Sequence, residues 1–255
     1  MAVWGNGTWG SDTPDTDTPD TFIRDTIVGA LTTLLGNVVD DCGAAGDPFR
    51  DTVGPMTGTS KAQRRADLLA ARRAVPASVH RAEAAALGEH LAEATAGAGT
   101  VCAYLPVGTE PGSPALVDRL RDLCDEVLLP VVRDGDHQAL LWGRYVPGEL
   151  APGRFGLSEP AGPWLPPEAV ARAGAVLVPA LAVDRTGVRL GRGGGFYDRT
   201  LPLCRPGTRL VAVVRDCEVF DALPAEEHDI RMTHALTPGA GLIALGESPA
   251  HGIGT

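Results

Sequence analysis

The amino-acid sequence predicts an α/β fold, a three-layer sandwich whose mostly parallel central sheet is flanked by helices. Two observations lead there. From Ser60 onward, helical segments alternate with short apolar runs of the kind that form buried strands, and Pro76 and Gly97 to Gly99 mark breaks between them. In addition, an apolar strand, Val178 to Asp184, runs into a loop with four glycines in five positions and then into a helix.

Taken in order, Ser60 is placed to cap a helix. Its Ala62, Leu68 and Leu69 and its cations Lys61, Arg64, Arg65, Arg72 and Arg73 have high helix propensity, and Pro76 ends it. A second helix is expected over about Ala77 to Ala96, and the glycines after it lead into a strand over Val101 to Leu105. Pro114 to Leu123 reads as a helix, and Glu126 to Leu129 and Ala139 to Tyr145 as strands. Ala175 to Val178 and Arg209 to Val214 are two more strands. One folded domain over residues 60–245 and a flexible tail over 246–255 are therefore expected.

Residues 1–59 differ in character. They hold nine Asp, no Glu and only Arg24 and Arg50 as cations, so they account for seven of the ten excess negative charges of the chain. Residues 1–21 lack apolar periodicity and are expected to be disordered. Ile27 to Val39 is too short and too interrupted to span a membrane, and the acidic residues before it argue against a signal peptide. The segment reads as an appendage, with Met56 a candidate start. The remaining chain carries little net charge and is free to build local basic sites for a nucleotide. Five scattered cysteines, with no CxxC pair, suggest a reduced cytoplasmic protein rather than a disulfide scaffold or a zinc site.

The segment richest in chemistry is Arg189-Leu190-Gly191-Arg192-Gly193-Gly194-Gly195-Phe196-Tyr197-Asp198. Without Cβ atoms, its glycines let backbone N–H groups approach phosphate oxygens, and a following helix N-terminus adds a favourable dipole. Arg189 and Arg192 supply charge, and Asp198 stands where a carboxylate could hold Mg²⁺ shared with phosphates. An isolated glycine run is more often a surface turn, but a passive turn would not require these flanking residues. The segment fits neither the P-loop nor the dinucleotide fingerprint.

This ten-residue string, preceded by Val178 to Asp184, resembles the signature of the 5-formyltetrahydrofolate cyclo-ligases, also called methenyltetrahydrofolate synthetases. Lys61 with Arg65 and Arg72, Tyr104 to Glu110, Gly156 to Pro160, and Pro224 to Asp229 match in the same order, so the resemblance covers about residues 60–238. It implies a fold akin to the sugar-phosphate isomerases and CoA-transferases. It also implies ATP and 5-formyltetrahydrofolate as substrates, Mg²⁺ as cofactor, and a cytoplasmic, monomeric ligase of one-carbon metabolism that binds neither nucleic acid nor membrane.

Carried over by position, the resemblance assigns ATP contacts to Lys61, Ala62, Gln63, Arg64 and Arg65, and to Arg189, Leu190, Gly191, Arg192, Gly193, Gly194, Gly195, Phe196 and Tyr197. Folate contacts fall on Leu105, Glu110, Arg65, Arg192, Gly193, Gly194, Gly195 and Phe196. Asp198 and Asp229 become metal ligands, and Lys61, Arg189 and Arg192 the catalytic cations. Lys61 and Arg65 stand i, i+4 on one helix face, so both can meet one triphosphate. A carboxylate at Glu110 suits a pterin, which offers two parallel N–H donors.

Three positions depart from the family pattern. Gly194 stands where some members have Lys, Pro111 follows Glu110, and Pro238 replaces a common acidic residue after what reads as the last strand. Alternatives at this point are a sugar-phosphate isomerase or CoA-transferase, or a folate or nucleotide binder without catalysis. No residue stands out as a general base.

Overall fold

A computed structural model describes residues 60–133, 138–153, 158–226 and 229–246. The expected N-terminal extension, the expected tail beyond Gly246, and Gly156, Leu157 and His228 of the matched motifs lie outside the described residues. Helix α1 (Lys61–Ala74) begins where the sequence predicts, with Ser60 Oγ accepting the Gln63 N–H at 3.2 Å. It ends at Val75, whose extended backbone is what the following Pro76 demands. Helix α2 is Ala77–Ala94, α3 is Ala115–Leu123, and α4 is a single turn, Phe196–Thr200.

In chain order the strands are β1 (Thr100–Cys102), β2 (Glu126–Val131), β3 (Leu141–Arg144), β4 (Leu150–Pro152), β5 (Ser158–Pro160), β6 (Ala175–Pro179), β7 (Ala182–Asp184), β8 (Arg189–Leu190), β9 (Arg209–Val213), β10 (Val219–Phe220), β11 (His234–Thr237) and β12 (Gly241–Ala244). Seven of them form the main sheet in the order β12-β11-β9-β6-β1-β2-β3. The five inner strands run parallel, and β3 and β12 close the two edges antiparallel. Strands β10, β7 and β8 make a second sheet, and β4 pairs with β5.

The period of two along each inner strand sorts the core into two layers. Val101, Val127, Leu129, Leu177, Val211 and Val213 meet Leu87 and Leu91 of α2 and Leu116, Val117 and Leu120 of α3. Cys102, Leu128, Val176, Val178, Leu210 and Ala212 face the opposite way, toward Ala169 and Val170 of a 3₁₀ turn, Leu201 and Met232. The expected sandwich is therefore present, with short helical turns covering its second face. Helix α1 packs elsewhere: its Leu68 sits on the second sheet with Leu181, Ala182, Val188, Leu190 and Leu223.

Several expected elements take a different form. The apolar stretch Val178 to Asp184 is not one strand: β6 ends at Pro179, and the chain crosses at Ala180 to enter the second sheet as β7. The Ala180 carbonyl, having left the ladder, is taken up by Arg72 Nη2 at 2.7 Å. Strand β1 stops at Cys102; the Ala103 N–H still reaches the Leu128 carbonyl of β2 at 2.9 Å, and Tyr104 and Leu105 lie beyond the strand rather than extend it. The β11–β12 hairpin, which the sequence did not suggest, follows β9, so Pro238 lies in the turn of that hairpin.

Leu91 is fully buried between α2 and the sheet. Leu91→Ala is expected to destabilise the fold by about 2–5 kcal/mol through the transfer and cavity terms. A urea midpoint lowered at unchanged m-value would show it.

Candidate active site

The chain steps from β1 to β2 on one side of the sheet and later adds β6, β9 and β11 on the other. The loops leaving the carboxyl ends of β1 and β6 therefore diverge, and such a divergence leaves a crevice in open parallel sheets. A cavity of about 450 Å³ lies there. Tyr104, Leu105 and Glu110 after β1, Pro130 and Val132 at and after β2, and Pro179 and Ala180 at and after the end of β6 form its walls, and the loop from Gly191 to Gly195 with Phe196 to Asp198 closes it.

Its polar groups are few. Glu110 is mostly buried. One carboxylate oxygen accepts the Val107 N–H at 3.1 Å, and the other meets Arg192 Nε at 3.2 Å across the cavity. Burial pushes the Glu110 carboxyl above its ordinary value, only partly opposed by the Val107 N–H and by the charges of Arg192 and Arg72. Pro111 does not turn it away from the cavity. Glu159, also buried and on the cavity wall, is occupied by the Val132 N–H at 3.0 Å.

The glycine loop has the cavity on one side and α1 on the other. Gly193 and Gly195 have φ of 98° and 70°, a left-handed backbone that glycine adopts without strain. A Cβ at Gly195 would also fall 2.4 Å from Arg199 Nη1. Arg65 reaches over from α1 and donates from Nε to the Gly191 carbonyl at 2.9 Å. One turn earlier, Lys61 Nζ meets Glu226 at 2.9 Å and Asp229 at 3.4 Å. The expected i, i+4 pair therefore points at one region. The helix after the loop is only five residues long, so the loop N–H groups and the cations outweigh any dipole.

Arg189 lies at the start of this loop with its side chain only 7% exposed, and it pairs closely with Asp198. Its ring-side neighbour is Tyr197, 5.6 Å from guanidinium carbon to ring centroid. Burial lowers the guanidinium pKa, while Asp198, Tyr197 and Asp229 oppose this. Both expected metal carboxylates thus bear on the same cation. Arg189 Nε and the Tyr197 hydroxyl are buried with no hydrogen-bond partner among the described residues, polar groups left available at the cavity wall.

The other expected site residues are more distant. Ala62 and Gln63 are exposed, and Gln63 donates to Asp67 at 2.9 Å. Arg64 is buried on α1, with Nε and Nη2 lacking a hydrogen-bond partner among the described residues and its pKa lowered by burial. The Leu190 side chain belongs to the core under α1. Lys61, Arg65 and Asp229 flank the loop rather than line the cavity. Sequence reasoning missed the cavity-wall position of Glu159, whose only signal was its place in Ser158-Glu159-Pro160, and the buried partners of Arg72.

Fold and site together define a three-layer α/β protein with a ligand cavity at the carboxyl edge of its parallel strands, bordered by a glycine loop and paired charges. The sequence matches the model of the 5-formyltetrahydrofolate cyclo-ligase family over residues 57–238. A 5-formyltetrahydrofolate cyclo-ligase of Mycolicibacterium smegmatis is 53% identical over 193 residues, which span 74% of this chain and 100% of that one. The Escherichia coli cyclo-ligase is 34% identical over 141 residues, 54% of this chain and 78% of its own. The solved structure of Aquifex aeolicus 5,10-methenyltetrahydrofolate synthetase aligns with a TM-score of 0.60 at 26% identity, covering 74% of this chain and 95% of that one. The chain belongs to the 5-formyltetrahydrofolate cyclo-ligase family and is an enzyme of that family.

Proposed function

We propose that this enzyme converts 5-formyltetrahydrofolate to 5,10-methenyltetrahydrofolate with ATP and Mg²⁺, releasing ADP and phosphate. The observation that carries the reading is the shared glycine loop. One side of it closes an apolar cavity that holds the Glu110 carboxylate and has Arg189 in its wall, and the other is flanked by Lys61 and Arg65. A pterin in the cavity would give its paired N–H donors to Glu110, and a triphosphate on the loop would lie against the cations. The formyl group then meets the γ-phosphate at the boundary.

The formyl oxygen attacks the γ-phosphorus and ADP leaves. The N10 lone pair then closes the ring on the activated formyl carbon, N10 gives up its proton, and the former formyl oxygen departs in phosphate. Lys61, Arg65, Arg189 and Arg192 position the phosphates and stabilise charge on the transferring group, which is most of what phosphoryl transfer asks of a protein.

Asp198 and Asp229 suit Mg²⁺. Among the described residues no cluster of three or more acidic, Cys or His side chains forms a protein cage. Two carboxylates fit an ion that brings phosphate oxygens and water as its remaining ligands. When bound with nucleotide, that ion withdraws charge from the phosphoryl oxygens. In the ligand-free protein these carboxylates are matched by Lys61 and Arg189, so MgATP would enter by exchanging partners, the ion taking the carboxylates and the phosphates the cations.

Among the described residues Cys102, Cys124 and Cys204 form no disulfide, which accords with action in a reducing cytoplasm. No described helix is long and apolar enough to cross a membrane. We take the working form as a monomer acting on small molecules, without nucleic acid or membrane.

ADP release tests the reading: it should require 5-formyltetrahydrofolate, and ADP formed equally without folate would contradict it. The pH dependence of folate affinity tests Glu110. Binding needs the carboxylate, and burial raises its pKa, so affinity should fall as pH drops through a value above the usual 4.5 of a glutamate. In Glu110→Gln that acid limb should vanish, and a limb that persists would assign it to another group.

A further inference from the structure

Behind the cavity lies a chain of buried charges that the reaction does not touch. Arg72 of α1 donates from Nε and Nη2 to the two carboxylate oxygens of Glu218, both at 2.7 Å. Glu218 also accepts the Arg215 N–H at 2.8 Å. The Arg215 side chain, 5% exposed, leaves the end of β9 and donates from Nε to Glu83 of α2 at 2.8 Å. From Nη2 it donates to His80 Nδ1 at 3.1 Å; because arginine only donates, this contact fixes the His80 tautomer with its proton on Nε2. Burial and the nearby Arg215 charge hold the His80 imidazole below its ordinary pKa, as that role requires.

The remaining Arg215 donor, Nη1, reaches the Thr109 carbonyl at 3.3 Å. That carbonyl belongs to the peptide group that joins Thr109 to Glu110. The N–H of the same group donates to the Val107 carbonyl at 3.2 Å. Both ends of the peptide unit entering Glu110 are therefore held, one of them by a guanidinium that α2 and the β9 end keep in place. The fixed peptide plane sets the N–Cα bond of Glu110, and the Val107 N–H on its carboxylate restrains the torsions beyond, so the carboxylate is aimed before any ligand arrives.

We propose that Arg215 is a positioning residue for Glu110, setting the affinity for the folate ring without touching it. This rests on the function proposed above only in naming the ligand that Glu110 receives. Glu83 and Glu218 support Arg215, and the device joins α1, α2, β9 and the loop after β1 into one frame.

The test is a double-mutant cycle read by folate affinity, with hydrogen exchange of the ligand-free protein beside it. Arg215→Met should raise the KM for 5-formyltetrahydrofolate about tenfold, the scale of one lost charge-assisted hydrogen bond, with the KM for ATP unchanged. In a Glu110→Gln background the same substitution should change the KM less than about twofold, because the group it aims is already disabled. Glu83→Gln, which keeps a neutral acceptor for Arg215, should give a smaller rise with the same dependence on Glu110, and it serves if Arg215→Met does not fold. Amides of residues 107–112 should exchange faster in either variant.

Equal cost in both backgrounds, or unchanged exchange in that loop, would overturn the positioning role. If the wild-type protein neither binds nor turns over 5-formyltetrahydrofolate, the functional reading fails instead, and the exchange measurement still decides whether Arg215 holds the loop.

Discussion

Arg189→Ala is expected to lower kcat by about 10³-fold, on the scale of losing a preorganised charged donor at a reacting centre. Arg189 is the most buried of the cations around the loop, and Asp198 and Asp229 both act on it. Fixed at the start of the loop, it would, in the proposed reaction, meet the charge that develops on the transferring phosphoryl group. Its removal should therefore reduce kcat and kcat/KM together and leave the KM for folate within about threefold. Asp198, at 41% side-chain exposure, can be rehydrated, so the variant should stay folded. Arg189→Lys keeps the charge but loses the planar fork and should recover only part of the rate. Near-normal turnover by the alanine variant would remove Arg189 from the reacting centre.

The largest stability effect is expected at Arg72. Its side chain is 1% exposed, and its partner Glu218 is 4% exposed. Burial works to lower the Arg72 pKa, yet the Glu218 carboxylate reverses this and the net shift is upward. Arg72→Met leaves a buried carboxylate with Arg215 as the remaining cation beside it among the described residues, which should cost about 3–5 kcal/mol. Arg72→Met with Glu218→Met removes both charges and should regain much of that loss, leaving the Ala180 carbonyl and the Arg215 N–H to find new partners. Urea denaturation of the single and double variants separates the two outcomes. If the double variant were no more stable than the single one, the penalty would lie in packing rather than in an unpaired charge.

These two residues also show what was legible before folding. The Ser60 cap, the break at Pro76 and the glycine loop are local features, written within a few neighbouring residues, and they stand where the sequence put them. Arg189 and Asp198 lie in one short motif, so their meeting could be anticipated as a shared site. Arg72 and Glu218 are 146 residues apart, and nothing near either one announces the other. The break between β6 and β7 was hidden for a similar reason. Val178 to Val183 is apolar throughout because both sheets bury it, and the crossing at Ala180 depends on the distant Arg72. The β11–β12 hairpin is built from two four-residue strands, too short for periodicity to identify.

Absorbance at the methenyl-folate band after mixing the full chain with 5-formyltetrahydrofolate, Mg²⁺ and ATP tests the central claim most directly. A rise that requires ATP, and that Arg189→Ala slows by orders of magnitude, is the result expected here. Folded protein that gives no rise with ATP, or the same rise without it, would contradict the claim that the glycine loop brings a phosphoryl group to a folate in the adjoining cavity.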